Sequence, residues 1–355
     1  MNWNTLKRRI SRNTCGALVN ARFDQLTRPF FGGIGHILNF HNVLPRSRRP
    51  RLSSVSALEV TPEWLEDSIG WYRANNVEIV SLDEMHAILS GEAPVREFVV
   101  YTFDDGFEDN YSYAWPVFRR CRAPFTVYLA AGFPDRNVIP WWKLIEDLTL
   151  ASPDLRVAFN GRDLRFDCST APGRESAFYV LRSLILDSCG GDYEGTLRQI
   201  FEPNGIDVHR YNGAGMSWKQ VRELSVDPLV TIGAHSVHHL PLSKLRTAEM
   251  ESEIAMSRQR IEAQIGKPVD HFSFPFGSSA EAGSREFDAV KAAGYKSAVT
   301  TRAANIFPEH SGHLFCLPRN LISGEREGLN TEILRLWIGG VIPALENGFH
   351  RVVTA

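Results

Sequence analysis

The sequence predicts an α/β fold built on a parallel sheet or barrel. From residue 36 onward, short apolar segments alternate with helical stretches, the rhythm of strand-helix-strand units. The 355 residues suffice for one large domain or two smaller ones with a full core. Hydrophobic residues make up 43% and charged residues 23%, the balance of an ordinary soluble chain. A formal charge of -2 offers no general attraction to nucleic acid, so a neutral or carbohydrate substrate fits better.

The candidate strands are His36 to Phe40, Val77 to Val80, Phe98 to Tyr101, Phe125 to Leu129, Leu229 to Ile232, Phe272 to Phe274 and Lys296 to Val299. Thr61-Pro62-Glu63 opens a helix with an N-cap, a first-turn proline and an acid, and Ser81 with Glu84 matches a capping box. Thr247 to Gly266 reads as an amphipathic helix closed by its glycine before Pro268. Between Gly132 and Ala214 the rhythm breaks into a hairpin, Arg156 to Phe166 turning at Asn160-Gly161, and helices near Glu175 to Ser188 and Tyr193 to Phe201. The predicted organisation is therefore a basic arm (1–34), a first barrel part (35–131), a mixed α+β insertion (132–214), a second barrel part (215–322) and a helical tail (323–355).

In the arm, Lys7, Arg8, Arg9 and Arg12 are followed by no apolar run of signal-peptide length, because Arg12, Asn13, Asn20, Arg22 and Asp24 interrupt it. The arm is either a surface-docked helix or a basic membrane-surface anchor. No stretch approaches the ~20 apolar residues of a membrane span. The scattered cysteines Cys15, Cys121, Cys168, Cys189 and Cys316 form no CxxC pair, so a reducing, cytoplasmic setting is expected, with peripheral membrane contact left open.

The chemistry is carried by two motifs at strand ends. In Thr102-Phe103-Asp104-Asp105-Gly106, the apolar lead-in sets where the strand stops, and Gly106 permits a tight turn. Adjacent carboxylates repel, and a neighbouring dication is the natural compensation. The plain alternative is an acidic N-cap pair. In His235-Ser236-Val237-His238-His239, the i, i+4 spacing places His235 and His239 on one side of a helical turn that Pro241 stops, while His238 reads as a surface residue. Two imidazoles and one carboxylate leave coordination positions open, so a metal site of Asp105, His235 and His239 is expected. In a barrel with all strands parallel, both motifs converge on one rim.

These motifs, together with Phe274-Pro275-Phe276-Gly277 and the run from Met216-Ser217-Trp218 to Gly233-Ala234-His235, resemble the polysaccharide deacetylase (NodB homology) family, carbohydrate esterase family 4, over roughly residues 36 to 322. The resemblance implies a distorted (β/α) barrel of the NodB-homology type. It implies Asp105, His235 and His239 as metal ligands, Asp104 as general base and one divalent ion, zinc first, with cobalt, manganese and nickel as alternatives. The implied reaction is hydrolysis of an N-acetyl amide on an amino sugar of a poly- or oligosaccharide. Removal of a formyl or acetyl group from a lipid-linked or nucleotide-linked sugar is the runner-up, and a catalytically silent carbohydrate binder the reading from another class. The partner is an N-acylated carbohydrate.

The chain departs from the family pattern in lacking a Leu-x-x-His-Asp element and in carrying Ser273 where an arginine is usual. His41, directly after the first strand, is the first candidate for the missing catalytic acid, and His313 the second. Arg319 is placed among the substrate-binding residues with Pro275, Phe276 and Trp142, and is also a candidate to replace the lost arginine beside Asp104. Trp141 and Trp142 either pack on the frame or form a stacking wall for a sugar ring. Trp218 reads as core, and Phe107 and Tyr111 are open.

Overall fold

The computed structural model describes residues 12–47, 49–322 and 328–354. Lys7, Arg8 and Arg9 of the basic arm and residues 323–327 of the tail lie outside the described residues. Strands covered on both faces read as unbroken apolar runs, and such runs form the centre of the sheet. In chain order the strands are β1 (Gly35–Phe40), β2 (Asn42–Val43), β3 (Glu59–Val60), β4 (Glu78–Ile79), β5 (Phe98–Phe103), β6 (Phe125–Leu129), β7 (Asp154–Phe159), β8 (Arg162–Asp167), β9 (Val230–Ala234), β10 (His271–Ser273), β11 (Ser297–Val299) and β12 (Asn320–Leu321).

Seven strands follow the order β11-β10-β9-β6-β5-β1-β12, and β4 joins β5 off that path. Every ladder among them is parallel. β5 pairs along its whole length with β1 and shares its other edge between β4, at Phe98 and Val99, and β6, at Thr102 and Phe103. The segment Leu317 to Leu321 joins the two ends of this sheet. Leu317 bridges in parallel to Val299 of β11, and Asn320 pairs with Leu38 of β1. The result is a distorted (β/α) barrel, the form that the resemblance implies among the parallel sheets and barrels that the alternation allows.

Period-two alternation along β5 sorts its side chains. Val99, Tyr101 and Phe103 point outward into the large cluster beneath the helices, whereas Phe98 and Val100 point inward with Ile37, Tyr128, Val299 and Leu317. Thr102 and Asp104 continue the inward series toward the rim. β5 and β9 each run two residues beyond their apolar signal, and in β5 the buried Thr102 hydroxyl is satisfied by donating to the Leu38 carbonyl at 2.7 Å.

The helix signals hold at named atoms. The Thr61 hydroxyl accepts from Trp64 N–H at 3.1 Å, and the reciprocal Ser81–Glu84 capping box forms. The helix Thr247–Ile265 ends on Gly266 at φ 67°. In the stretch 132–214, β7 and β8 pair antiparallel around Asn160 (φ 49°) and Gly161 (φ 73°), the two left-handed residues of a type I′ turn. With helices Trp141–Ala151, Ala171–Ser188 and Tyr193–Phe201 they enclose a second cluster, including Leu144, Leu155, Leu181 and Leu197, which also takes in Leu52, Val55 and Phe107.

His36 lies buried at the start of the barrel, its Nε2 3.0 Å from the Tyr72 hydroxyl. Burial, with a smaller push from Arg28, lowers its imidazole from 6.5 to about 3. Folded His36 is thus neutral where the unfolded chain would protonate it. Its contribution is complete above pH 6.5 and is lost as the pH falls toward 3. Each pH unit in that window is expected to cost up to ~1.4 kcal/mol. His36→Gln should flatten the decline of urea midpoints across it. An equally steep decline in the variant would assign acid sensitivity elsewhere.

Candidate active site

The turn after β5 is built on strained backbone. Asp105 lies at φ 74° and Gly106 at φ 85°, and a Cβ on Gly106 would meet Leu129 Cδ1 at 2.4 Å. Ser236, His239 and Phe276 also occupy left-handed backbone, at φ 60°, 56° and 62°. Non-glycine residues pay about 1–3 kcal/mol each for such conformations, and they gather where function holds them.

This backbone brings Asp105, His235 and His239 together, each buried, with one ligand atom from each within 4.8 Å of the others. His235 Nε2 stands 3.4 Å and His239 Nε2 3.1 Å from Asp105 Oδ1. Asp105 Oδ1 nevertheless has no hydrogen-bond partner, so these are approaches of lone-pair atoms off hydrogen-bond geometry. Tetrahedral zinc with bonds of about 2.0 Å spaces its ligand atoms about 3.3 Å apart. The donor set, its spacing and the orphaned oxygen therefore fit a divalent ion. His235 Nδ1 lies 2.7 Å from the Ser273 carbonyl and donates to it, which leaves Nε2 free toward Asp105. The His239 ring is held by aromatic neighbours, Phe276 at 4.9 Å and Trp142 at 5.3 Å. Burial raises the Asp105 carboxyl, but the two histidines outweigh it and leave it well below the ordinary carboxylate range.

The histidine segment corrects the expected helical turn. Residues 235–240 form an extended and bent loop. Its amide groups are taken by side chains: the Ser236 hydroxyl accepts from His239 N–H at 3.1 Å, and Glu253 accepts from Val237 N–H and His238 N–H, both at 2.9 Å. His238 is exposed, as expected, yet its Nδ1 meets Glu253 Oε1 at 2.5 Å. Glu253, on the helix Thr247–Ile265, was not foreseen; its only signal in the sequence is an acid next to the apolar positions Met250 and Ile254.

Asp104 is 2% exposed and faces a fully buried arginine. Arg319 grips it with both nitrogens, Nη1 to Oδ1 at 2.7 Å and Nη2 to Oδ2 at 2.6 Å. The same guanidinium donates to Ser273 Oγ at 2.9 Å, Thr102 Oγ1 at 3.1 Å and the Thr300 carbonyl at 2.9 Å. Burial alone would raise the Asp104 carboxyl, but Arg319 and then His235 reverse the sign and keep it below its ordinary value. Arg319 is thus a correction to the expected substrate-binding set, since none of its side chain is exposed. Its other expected place, beside Asp104, is where it stands, touching Ser273.

The remaining candidates separate by position. His41 follows β1 and is half-buried, and its Nδ1 has no hydrogen-bond partner. Burial lowers its imidazole against the raising fields of Asp105 and Asp104. His313 is exposed and precedes Leu314 to Leu317, which runs parallel beside β11; it therefore lies at the opposite end of the barrel from Arg319. Trp142 is 9% exposed and packs on His239 and Phe107, and Pro275 is buried, so neither presents an open face for a sugar. Phe276 stays half-buried between Trp141 and His239. Phe107 is core, and Trp218 Nε1 donates to Asp135 at 2.7 Å.

Residues 176–298 match the family model for polysaccharide deacetylase, a stretch that holds both histidines but not Asp104 or Asp105. No curated protein matches the chain. Among solved structures it is similar to the Streptococcus pyogenes deacetylase PplD in complex with acetate, at 16% identity and TM-score 0.55 over 84% of this chain and 96% of that one. It is also similar to the de-N-acetylase from Aggregatibacter actinomycetemcomitans (14%, TM-score 0.53, 84% and 98%) and to IcaB from Ammonifex degensii (18%, TM-score 0.52, 86% and 97%). At these identities the likeness carries the fold. Fold and family match together define a hydrolase of the deacetylase class. Over residues 176–298 the chain is thus similar to the polysaccharide deacetylase (NodB homology) family.

Proposed function

We propose that this protein hydrolyses the N-acetyl amide of an amino sugar in a poly- or oligosaccharide, with one divalent ion held by Asp105, His235 and His239 and with Asp104 as general base. The observation that carries the reading is the contrast between two adjacent carboxylates: Asp105 faces two imidazoles, and Asp104 faces a guanidinium. Identical residue types are thereby committed to different work.

A divalent ion bound by the trio supplies Lewis acidity, polarising the acyl oxygen and lowering the pKa of water. Arg319 holds Asp104 ionised and in fixed orientation, ready to accept the proton of the attacking water. His235, locked by Ser273 through Nδ1, keeps its Nε2 on the ligand side. His41 is assigned proton delivery to the departing amine, supported by its place after β1 and its unpartnered Nδ1. Phe276 is the assigned sugar-facing ring. The motive for a silent binder weakens, since an arginine does stand beside Asp104.

The test is acetate and formate release from acetylated chitooligosaccharides and from lipid-linked and nucleotide-linked acylamino sugars, with zinc, cobalt, manganese or nickel added. Asp104→Asn is expected to lower kcat by roughly 10²–10⁴-fold with metal content unchanged. Sugar binding by the parent with no acyl release from any of these substrates would leave the binder reading standing.

A further inference from the structure

The helix Phe23–Phe31 turns its acid inward and apolar side chains outward. Asp24, 6% exposed, accepts from Arg335 Nε at 3.0 Å, and the Thr27 hydroxyl donates to the Gly339 carbonyl at 2.6 Å. Phe23, Leu26 and Phe30 are 46%, 65% and 62% exposed. Spaced three and four apart, they form one stripe. The helix Val341–Glu346 packs against this one and leaves Leu345 43% exposed. Phe349 stacks edge-on against Phe31 at 5.9 Å and remains 63% exposed, on left-handed backbone at φ 66° that a bulky residue adopts at a cost. Folding has buried a charge here and left three phenylalanines and two leucines at the surface, the reverse of the ordinary amphipathic arrangement.

Cations accompany the stripe. Arg22, Arg28 and Arg351 are exposed in the chain beside it, the last two against Glu97 and Glu309. Lys7, Arg8, Arg9 and Arg12 precede it in the sequence, and the sole acid within residues 1–34 is Asp24, already paired inside. This concentration of positive charge stands in a chain of net charge -2. Among the described residues no helix is long and apolar enough to cross a membrane. An apolar stripe bordered by cations fits the surface of an anionic bilayer, where rings enter the boundary between headgroups and acyl chains and cations meet lipid phosphates. We propose that this face seats the protein on anionic phospholipid. Because the helix runs through Gly32 and Gly33 into the start of β1, the seat lies toward the end of the barrel away from the metal-binding trio.

The full chain is sedimented with phosphatidylcholine vesicles with and without phosphatidylglycerol, beside the variant Phe23→Ser/Leu26→Ser/Phe30→Ser. Binding to the anionic vesicles is expected, weakening at least ~10-fold in the variant. An unchanged melting temperature shows that the variant is folded, since these side chains are already exposed. The proposal is overturned if the parent ignores anionic vesicles or if the variant binds them equally well. It is also overturned if the parent is a dimer that the substitutions split without any vesicle binding, which assigns the face to a second copy.

Discussion

Arg319→Met is expected to destabilise the protein by about 3–5 kcal/mol and to remove most of its acyl-hydrolase activity, because it strands the Asp104 carboxylate in the barrel without a counter-charge. The side chain is fully buried and its guanidinium also serves Thr102, Ser273 and the Thr300 carbonyl. Arg319→Lys keeps the charge but lacks the fork, so it should retain more stability than activity. A sharper outcome comes from moving the cation. Ser273 Oγ lies 2.9 Å from Arg319 Nη2, so Ser273→Arg combined with Arg319→Ala should recover part of the lost activity if a guanidinium at that spot is what Asp104 requires. Urea denaturation and acetate release separate the two effects. A single variant with parental stability and rate would remove Arg319 from the argument.

Asp105→Asn should abolish tight metal binding and lower deacetylation by at least ~10³-fold, while folding is retained. In the parent, a ligand bound only by the folded state raises stability by about 2.7 kcal/mol at a hundred times its dissociation constant. Zinc is therefore expected to raise the parent's Tm by several degrees and a chelator to reverse it, with no response in Asp105→Asn. His235→Ala should behave likewise, since its Nε2 stands 3.4 Å from the same carboxylate oxygen. A parent whose Tm and metal content are indifferent to zinc, cobalt, manganese and nickel would refute the metal site.

The parts of this protein that could be read from its sequence are those encoded by near neighbours. Apolar runs located β1, β5 and β6, and Asn160-Gly161 located a hairpin, because periodicity and turn chemistry act over a few residues. The grouping of Asp105 with His235 and His239 was foreseeable because each motif ends a parallel strand, and such strands deliver their ends to one rim. The histidine loop was misread because an i, i+4 spacing is compatible both with a helical turn and with a loop whose amides are taken by Ser236 and Glu253. Arg319 could be assigned no single role beforehand: it lies 215 residues from Asp104, and only the closure of the sheet brings them together. The stretch 132–214 separates the acidic pair from the histidines, and the family match begins inside it, at residue 176.

The segment Leu317 to Leu321 also fixes when competence can arise during synthesis. Asp104 leaves the ribosome early and His235 midway, whereas the residue that clamps the carboxylate and the peptide that seals the barrel arrive together near position 319 of 355. A polypeptide that ends between His239 and Arg319 therefore carries both carboxylates and both imidazoles yet lacks the clamp. Translation products that stop before Arg319 are therefore expected to lack hydrolytic power, with no separate inhibitor required.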